Sequence, residues 1–149
     1  MATRGTREGQ PAETGPPRRA GSTDVPDLQV VTMHRPGVVV LAVTGELDVA
    51  SAPLLRSHIR FALARQPALL ILDLAGLRFC DAAGLSVFAM ARNATARDGA
   101  SLAFAAVPRQ VTRLLKMTGM NQVLDVYPSV AAASTRMPGP GGTPAVSAG

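Results

Sequence analysis

Residues 71–85 read ILDLAGLRFCDAAGL. The apolar run over 69–72 predicts a buried strand that ends at Asp73. A short loop follows, and Asp81 caps a helix whose first turn is Ala82-Ala83-Gly84-Leu85. A strand that feeds a helix through a short loop leaves backbone N–H groups and a positive helix end at the surface. Such a place suits an anion, a phosphoryl group or a protein partner. The side chains there are inert, however. Ala82 and Ala83 stand where a Ser or Thr would carry chemistry, and neither can be phosphorylated.

Working outward, the hydrophobic period switches repeatedly. Residues 28–34 alternate loosely as a strand, Arg35-Pro36-Gly37 signals a turn, and the β-branched run 38–44 predicts a second, buried strand, so the pair forms an antiparallel hairpin. Asp48 or Ser51 can cap the next helix, with Pro53 in its first turn and Leu54, Leu55, Ile59, Ala62 and Leu63 as its apolar residues at helical spacing. Gln66-Pro67 stops it. Beyond the second helix (82–97) and Gly99, residues 102–106 predict a fourth strand. A third helix starts at Pro108 and closes at Gly119, followed by a short fifth strand over 123–127 and a last helical turn within 130–135. Alternating strands and helices imply parallel pairing after the hairpin. The expectation is one α/β domain over residues 27–136, a mixed sheet of four to five strands with helices packed against it. Residues 1–26 and 137–149 are rich in Gly, Pro and polar residues and predict disordered tails.

Composition narrows the function. Hydrophobic residues make up 47% of 149, enough for one packed core, but aromatics are only 3% and Trp is absent, so Val, Leu, Ala and Met must build it. The single Cys80 excludes an internal disulfide and a cysteine-based metal cluster, and fits a reducing compartment. No apolar stretch reaches the roughly 20 residues of a membrane span, and the N-terminus has no secretory core, so the chain reads as cytoplasmic. The net charge of +5 comes from scattered Arg without interleaved aromatics, which reads as solvated helix faces and not as a nucleic-acid surface.

Catalytic constellations are poor. His34 ends the first strand and His58 lies on the Arg-bearing part of the first helix, and neither has a nucleophile or metal-ligand companion. Asp48 and Asp81 read as helix caps and Asp73 as a strand end. Cys80 precedes a helix N-terminus that could lower its pKa, but its apolar neighbourhood favours burial. No phosphate-loop lysine or dinucleotide glycine pattern is present, and no metal or cofactor is expected.

Three segments nonetheless resemble STAS domains. These are GELDVASAPLLR (45–56), LLILDLAGLRFCDAAGLSVF (69–88) and VTRLLKMTGMNQVLDVYPSVAAA (111–133), together spanning roughly residues 28–135. The order of elements is also that of the family, and the resemblance is strongest to the bacterial anti-sigma factor antagonists. It implies a non-enzymatic partner switch. Such a protein binds an anti-sigma factor that is also a GHKL-type serine kinase, which frees a sigma factor. The kinase phosphorylates a Ser or Thr at the start of the second helix, which blocks rebinding, and a PP2C-type phosphatase restores it. The acceptor position corresponds to Ala83.

That departure has three readings: an antagonist that cannot be switched off at this position, a binder of a kinase that does not modify it, or a protein modified elsewhere, at Ser86 or Ser51. The resemblance implies a contact surface on the connections 46–51 and 78–85 with the exposed side of the second helix, made by Glu46, Asp48, Ser51, Arg78, Asp81, Ala82, Ala83, Gly84 and Leu85. Ala83 lies at its centre, and Gly84 lets the partner's backbone approach. The alternative is a STAS module that senses a small ligand or serves a transport complex, with no sigma factor involved.

Overall fold

The computed structural model describes residues 27–135; the tails expected at 1–26 and 137–149 lie outside them. Five strands and four helices follow in the order β1 (Leu28–Arg35), β2 (Val38–Leu47), α1 (Ala52–Ala64), β3 (Leu69–Cys80), α2 (Ala82–Arg97), β4 (Ser101–Ala105), α3 (Arg109–Thr118), β5 (Val126–Tyr127) and α4 (Val130–Ser134). One sheet carries the strands in chain order. β1 and β2 are antiparallel, and every later pair is parallel. The mixed α/β sheet read from the sequence is the one found.

Strand alternation sorts the core into two faces. Val39, Leu41 and Val43 of β2, with Leu70, Leu72 and Leu74 of β3, pack beneath Leu55 and Ile59 of α1, Phe88 and Ala91 of α2, and Val111 and Leu115 of α3. Val38, Val40, Leu69, Ile71, Ala103 and Ala105 line the other face, against Ala133 of α4. With so few aromatics, one ring pair matters. Phe88 and Phe104 meet edge to face with centroids 5.1 Å apart, locking α2 onto β4.

Two strands depart from the sequence reading in ways that shape the site. β3 does not end at Asp73 but runs on to Cys80, and β2 runs on to Leu47. The pairing survives through two irregularities. Ala42 pairs with Asp73 but Thr44 with Gly76, and Gly45 pairs with Leu77 but Glu46 with Phe79, so β3 uses one extra residue at each. At the first, the Asp73 carboxylate accepts the Ala75 N–H at 3.1 Å. Asp73, Gly76 and Arg78 break the apolar run, which is why the strand read as a loop. The fifth strand is also shorter than expected. After Gly119 takes a left-handed turn (φ 80°), residues Met120–Gln122 form a single 3₁₀ turn, and only Val126 and Tyr127 pair with β4.

Candidate functional site

The carboxyl ends of the parallel strands β2 and β3 deliver the two connections of interest side by side. The Asp81 N–H donates to Leu47 O at 3.2 Å, which joins the connections directly. Asp81 is extended (φ −116°, ψ −165°) and its Oδ1 accepts from Ala83 N at 2.9 Å and Gly84 N at 3.4 Å. These bonds satisfy two of the orphan donors of α2, and the carboxylate opposes the positive helix end. Ala82 is exposed, and Ala83 is half-buried at the rim of the core. Ser86 is exposed one turn along, and its hydroxyl donates to Ala82 O at 3.2 Å.

The 46–51 connection is wired through Ser51. Its hydroxyl donates to Glu46 O at 2.7 Å and accepts the Asp48 N–H at 2.9 Å. Asp48 Oδ1 accepts from Ala50 N at 3.0 Å and Ser51 N at 3.1 Å, both ahead of α1, so its side chain closes the turn that leads into the helix; neither Asp48 nor Ser51, the N-cap residue, gives α1 the side-chain cap expected from sequence. Ser51 is completely buried. That corrects its assignment as a contact residue or acceptor: the hydroxyl is spent inside the loop and does not reach the surface.

Gly84 and Leu85 are corrected in the same way. A Cβ built on Gly84 would lie 2.6 Å from Cys80 Sγ and 2.8 Å from Leu47 Cδ2. The glycine therefore lets α2 seat on its own strands, and is buried away from any partner's backbone. Leu85 is buried and belongs to the core.

Arg78 is exposed. Its Nη2 lies 3.1 Å from Asp27 Oδ2 and 3.9 Å from Glu46 Oε2, and its carbonyl accepts from Gln110 Nε2 at 3.0 Å. The cluster draws the ends of β1, β2 and β3 together at a solvated rim, where ion pairs contribute about 0–1 kcal/mol.

Two apolar side chains belong to the same end of the sheet and were not singled out from sequence. Val49 is 76% exposed between Asp48 and Ala50, and Phe79 is 47% exposed opposite Glu46 in the register. Phe79 read as part of an apolar, buried stretch; the second irregularity in β3 takes it out of the core. For Val49 the signal was present, since a large apolar residue between two turn formers has no core to enter. The surface left by these findings comprises Val49, Phe79, Ala82 and Ala83, edged by Glu46, Asp48, Arg78 and Asp81. These side chains are solvent-accessible at the carboxyl ends of β2 and β3 and in the connections that follow, and none of them is a nucleophile.

The one thiol nearby is held in its protonated form. Burial, and secondarily the Asp81 carboxylate, push the Cys80 thiol from 9.0 up to about 12, so desolvation overrides any help from the helix end. His58 Nδ1 bonds Leu54 O at 3.0 Å on the surface of α1, and His34 is exposed on β1; neither enters the site. Among the described residues no group of three or more His, Cys, Asp or Glu could hold a metal ion, and no helix is long and apolar enough to cross a membrane.

Comparison with known proteins agrees with this architecture. A family model described as the STAS domain matches residues 29–133. The chain is 30% identical over 112 residues to the anti-sigma F factor antagonist of Paenibacillus polymyxa, covering 74% of this chain and 96% of that protein. It is 33% identical over 84 residues to the anti-sigma-B factor antagonist of Bacillus subtilis, covering 56% of this chain and 76% of that protein. The crystal structure of an anti-sigma factor antagonist from Mycobacterium paratuberculosis superposes with a TM-score of 0.69 at 25% identity, covering 78% of this chain and 97% of that one.

Proposed function

The chain belongs to the STAS domain family, and we propose that it is an anti-sigma factor antagonist: a non-enzymatic cytoplasmic protein that binds an anti-sigma factor of the GHKL serine-kinase type and so releases a sigma factor. The observation that carries this reading is the near full-length similarity to a protein named as such an antagonist. The geometry supports it, since the α2 N-terminus and an adjoining hydrogen-bonded loop are joined at the ends of β2 and β3 and expose Val49, Phe79 and Ala82 without catalytic groups. The contact is assigned to Val49, Phe79, Asp81, Ala82 and Ala83, with Glu46, Asp48 and Arg78 at its edge.

Ala83 gives the reading its particular form. A phosphate at this position would add about −1.5 to −2 charge beside the Asp81 carboxylate, an arrangement that repels an acidic or apolar partner face. Alanine accepts no phosphate, so the surface stays in its binding-competent state, and abundance or another signal sets its effect. Ser86 does not substitute for it, being about one helical turn away with its hydroxyl on Ala82 O.

The test is affinity capture from native cells with the wild-type chain and with Ala83→Ser, followed by addition of ATP and measurement of incorporated phosphate. The expected result is a GHKL-type kinase retained by both chains that phosphorylates only the Ser variant. Phosphate on the wild type would place the acceptor elsewhere. Failure of either chain to retain such a kinase would overturn the antagonist reading, and recovery of a transport protein instead would favour a transport-complex module.

A further inference from the structure

The two edges of the sheet differ in kind. β5 is two residues long, whereas β1 runs for eight. The Glu46 N–H donates to Asp27 O at 2.7 Å. Antiparallel ladders alternate, so the backbone groups of residues 27, 29, 31, 33 and 35 face β2 and those of Leu28, Val30, Thr32 and His34 face outward. Among the described residues no strand pairs with that outer edge. The usual protections are few: the one formally charged side chain of β1, Arg35, stands at its last residue. β1 (LQVVTMHR) contains no Pro and no Lys, pairs with β2 without a bulge, and leaves Val31 58% and Met33 38% exposed on one face.

We propose that β1 pairs antiparallel with β1 of a second copy of this chain, about a two-fold axis through Val31. This register sets Leu28 opposite His34 and Val30 opposite Thr32, so outward-facing backbone groups meet outward-facing groups. On the exposed face Val31 meets its own copy, Gln29 lies over Met33, and Asp27 faces Arg35 at each end of the joined strands. Asp27 already holds Arg78 through Oδ2, and its other oxygen can accept from Arg35. Neighbouring axes fit less well. An axis through Thr32 would set Leu28 against Pro36, which has no N–H, and leave Asp27 without a cation. An axis through Val30 would set Asp27 against Met33.

The self-complementary pattern is what a two-fold interface requires. The area one such strand can cover falls at the low end of specific interfaces, below about 1,200 Å², so the dimer is a weak one. Because the candidate site lies at the Leu28 end of β1, the antiparallel pairing puts the two sites at opposite ends of a continuous sheet, both open to a partner.

Sedimentation equilibrium on the full chain tests this, with a dimer fraction expected to rise through the micromolar range. Thr32→Pro removes an outward N–H without touching the β1–β2 ladder, so it should sediment as a monomer with unchanged circular dichroism. Val31→Cys places two thiols across a non-hydrogen-bonded pair, where Cα atoms lie about 4.5 Å apart, within disulfide range. Mild oxidation should link it as a dimer, whereas Gln29→Cys should not link. A wild-type monomer at all concentrations, a dimer indifferent to Thr32→Pro, or equal linkage of both cysteine variants would overturn the proposal. So would a monomer whose Val30 and Thr32 amides are protected from exchange, since another segment would then occupy the edge.

Discussion

Gly84 is where the contact surface and the core share an atom's width of space. Leu47 and Cys80 crowd the position a Cβ would take, so Gly84→Ala must displace these two core side chains or lift the first turn of α2 off the sheet. Overpacking of this kind costs about 1–3 kcal/mol, which urea denaturation will show as a lower midpoint, and it should weaken partner capture as well. Ser51→Ala leaves the Asp48 N–H and Glu46 O without their hydroxyl partner in a buried loop. That loss is expected to cost about 1–3 kcal/mol, again read by denaturation. Cys80 makes a pH prediction. Its folded pKa, about 12, stands above the 9.0 of an unperturbed thiol. The folded state therefore holds a proton that the unfolded state releases, and stability present below pH 9 declines as the pH rises toward 12. The same burial keeps the thiol protonated and shielded at pH 8, so alkylation by iodoacetamide should be much slower in the folded chain than after denaturation.

At the scale of elements, what could be read from sequence was what is decided locally. The cap of α2 was legible because Asp81 bonds amides two and three residues ahead. The αL stop at Gly119 was legible for the same reason. The tail of β3 was not, because its pairing depends on β2 keeping step across two irregularities, and no local signal marks that. Ser51 was misread for a related reason. Its burial follows from Glu46 O being turned toward it, five residues back. The α2 cap yields an element-level prediction. Asp81→Ala should cost about 1 kcal/mol, whereas Asp81→Asn, which can still accept both amides, should keep most of the stability. Comparing their partner affinities then separates the carboxylate's charge from its capping role.

On the scale of the whole molecule, the domain divides its labour between faces. Helices α1, α2 and α3 cover one side of the sheet and α4 sits on the other, and the contact proposed above falls at the ends of β2 and β3. Because Val49 and Phe79 are exposed, Val49→Ser with Phe79→Ser should leave the thermal midpoint nearly unchanged while lowering affinity for the captured partner at least tenfold, measured by titration calorimetry. Equal affinity would move the contact elsewhere on the surface. The bonds that tie Leu47 to Asp81, Asp48 to Ser51 and Asp81 to the α2 amides have a consequence for timing. A surface already held in place has no ordering step to complete on encounter. Association should be limited by orientation, near 10⁵–10⁷ M⁻¹s⁻¹, with a heat-capacity change set by contact area and no folding contribution. Any adaptation between the two proteins then falls to the other molecule, and stopped-flow traces should show one exponential phase linear in concentration.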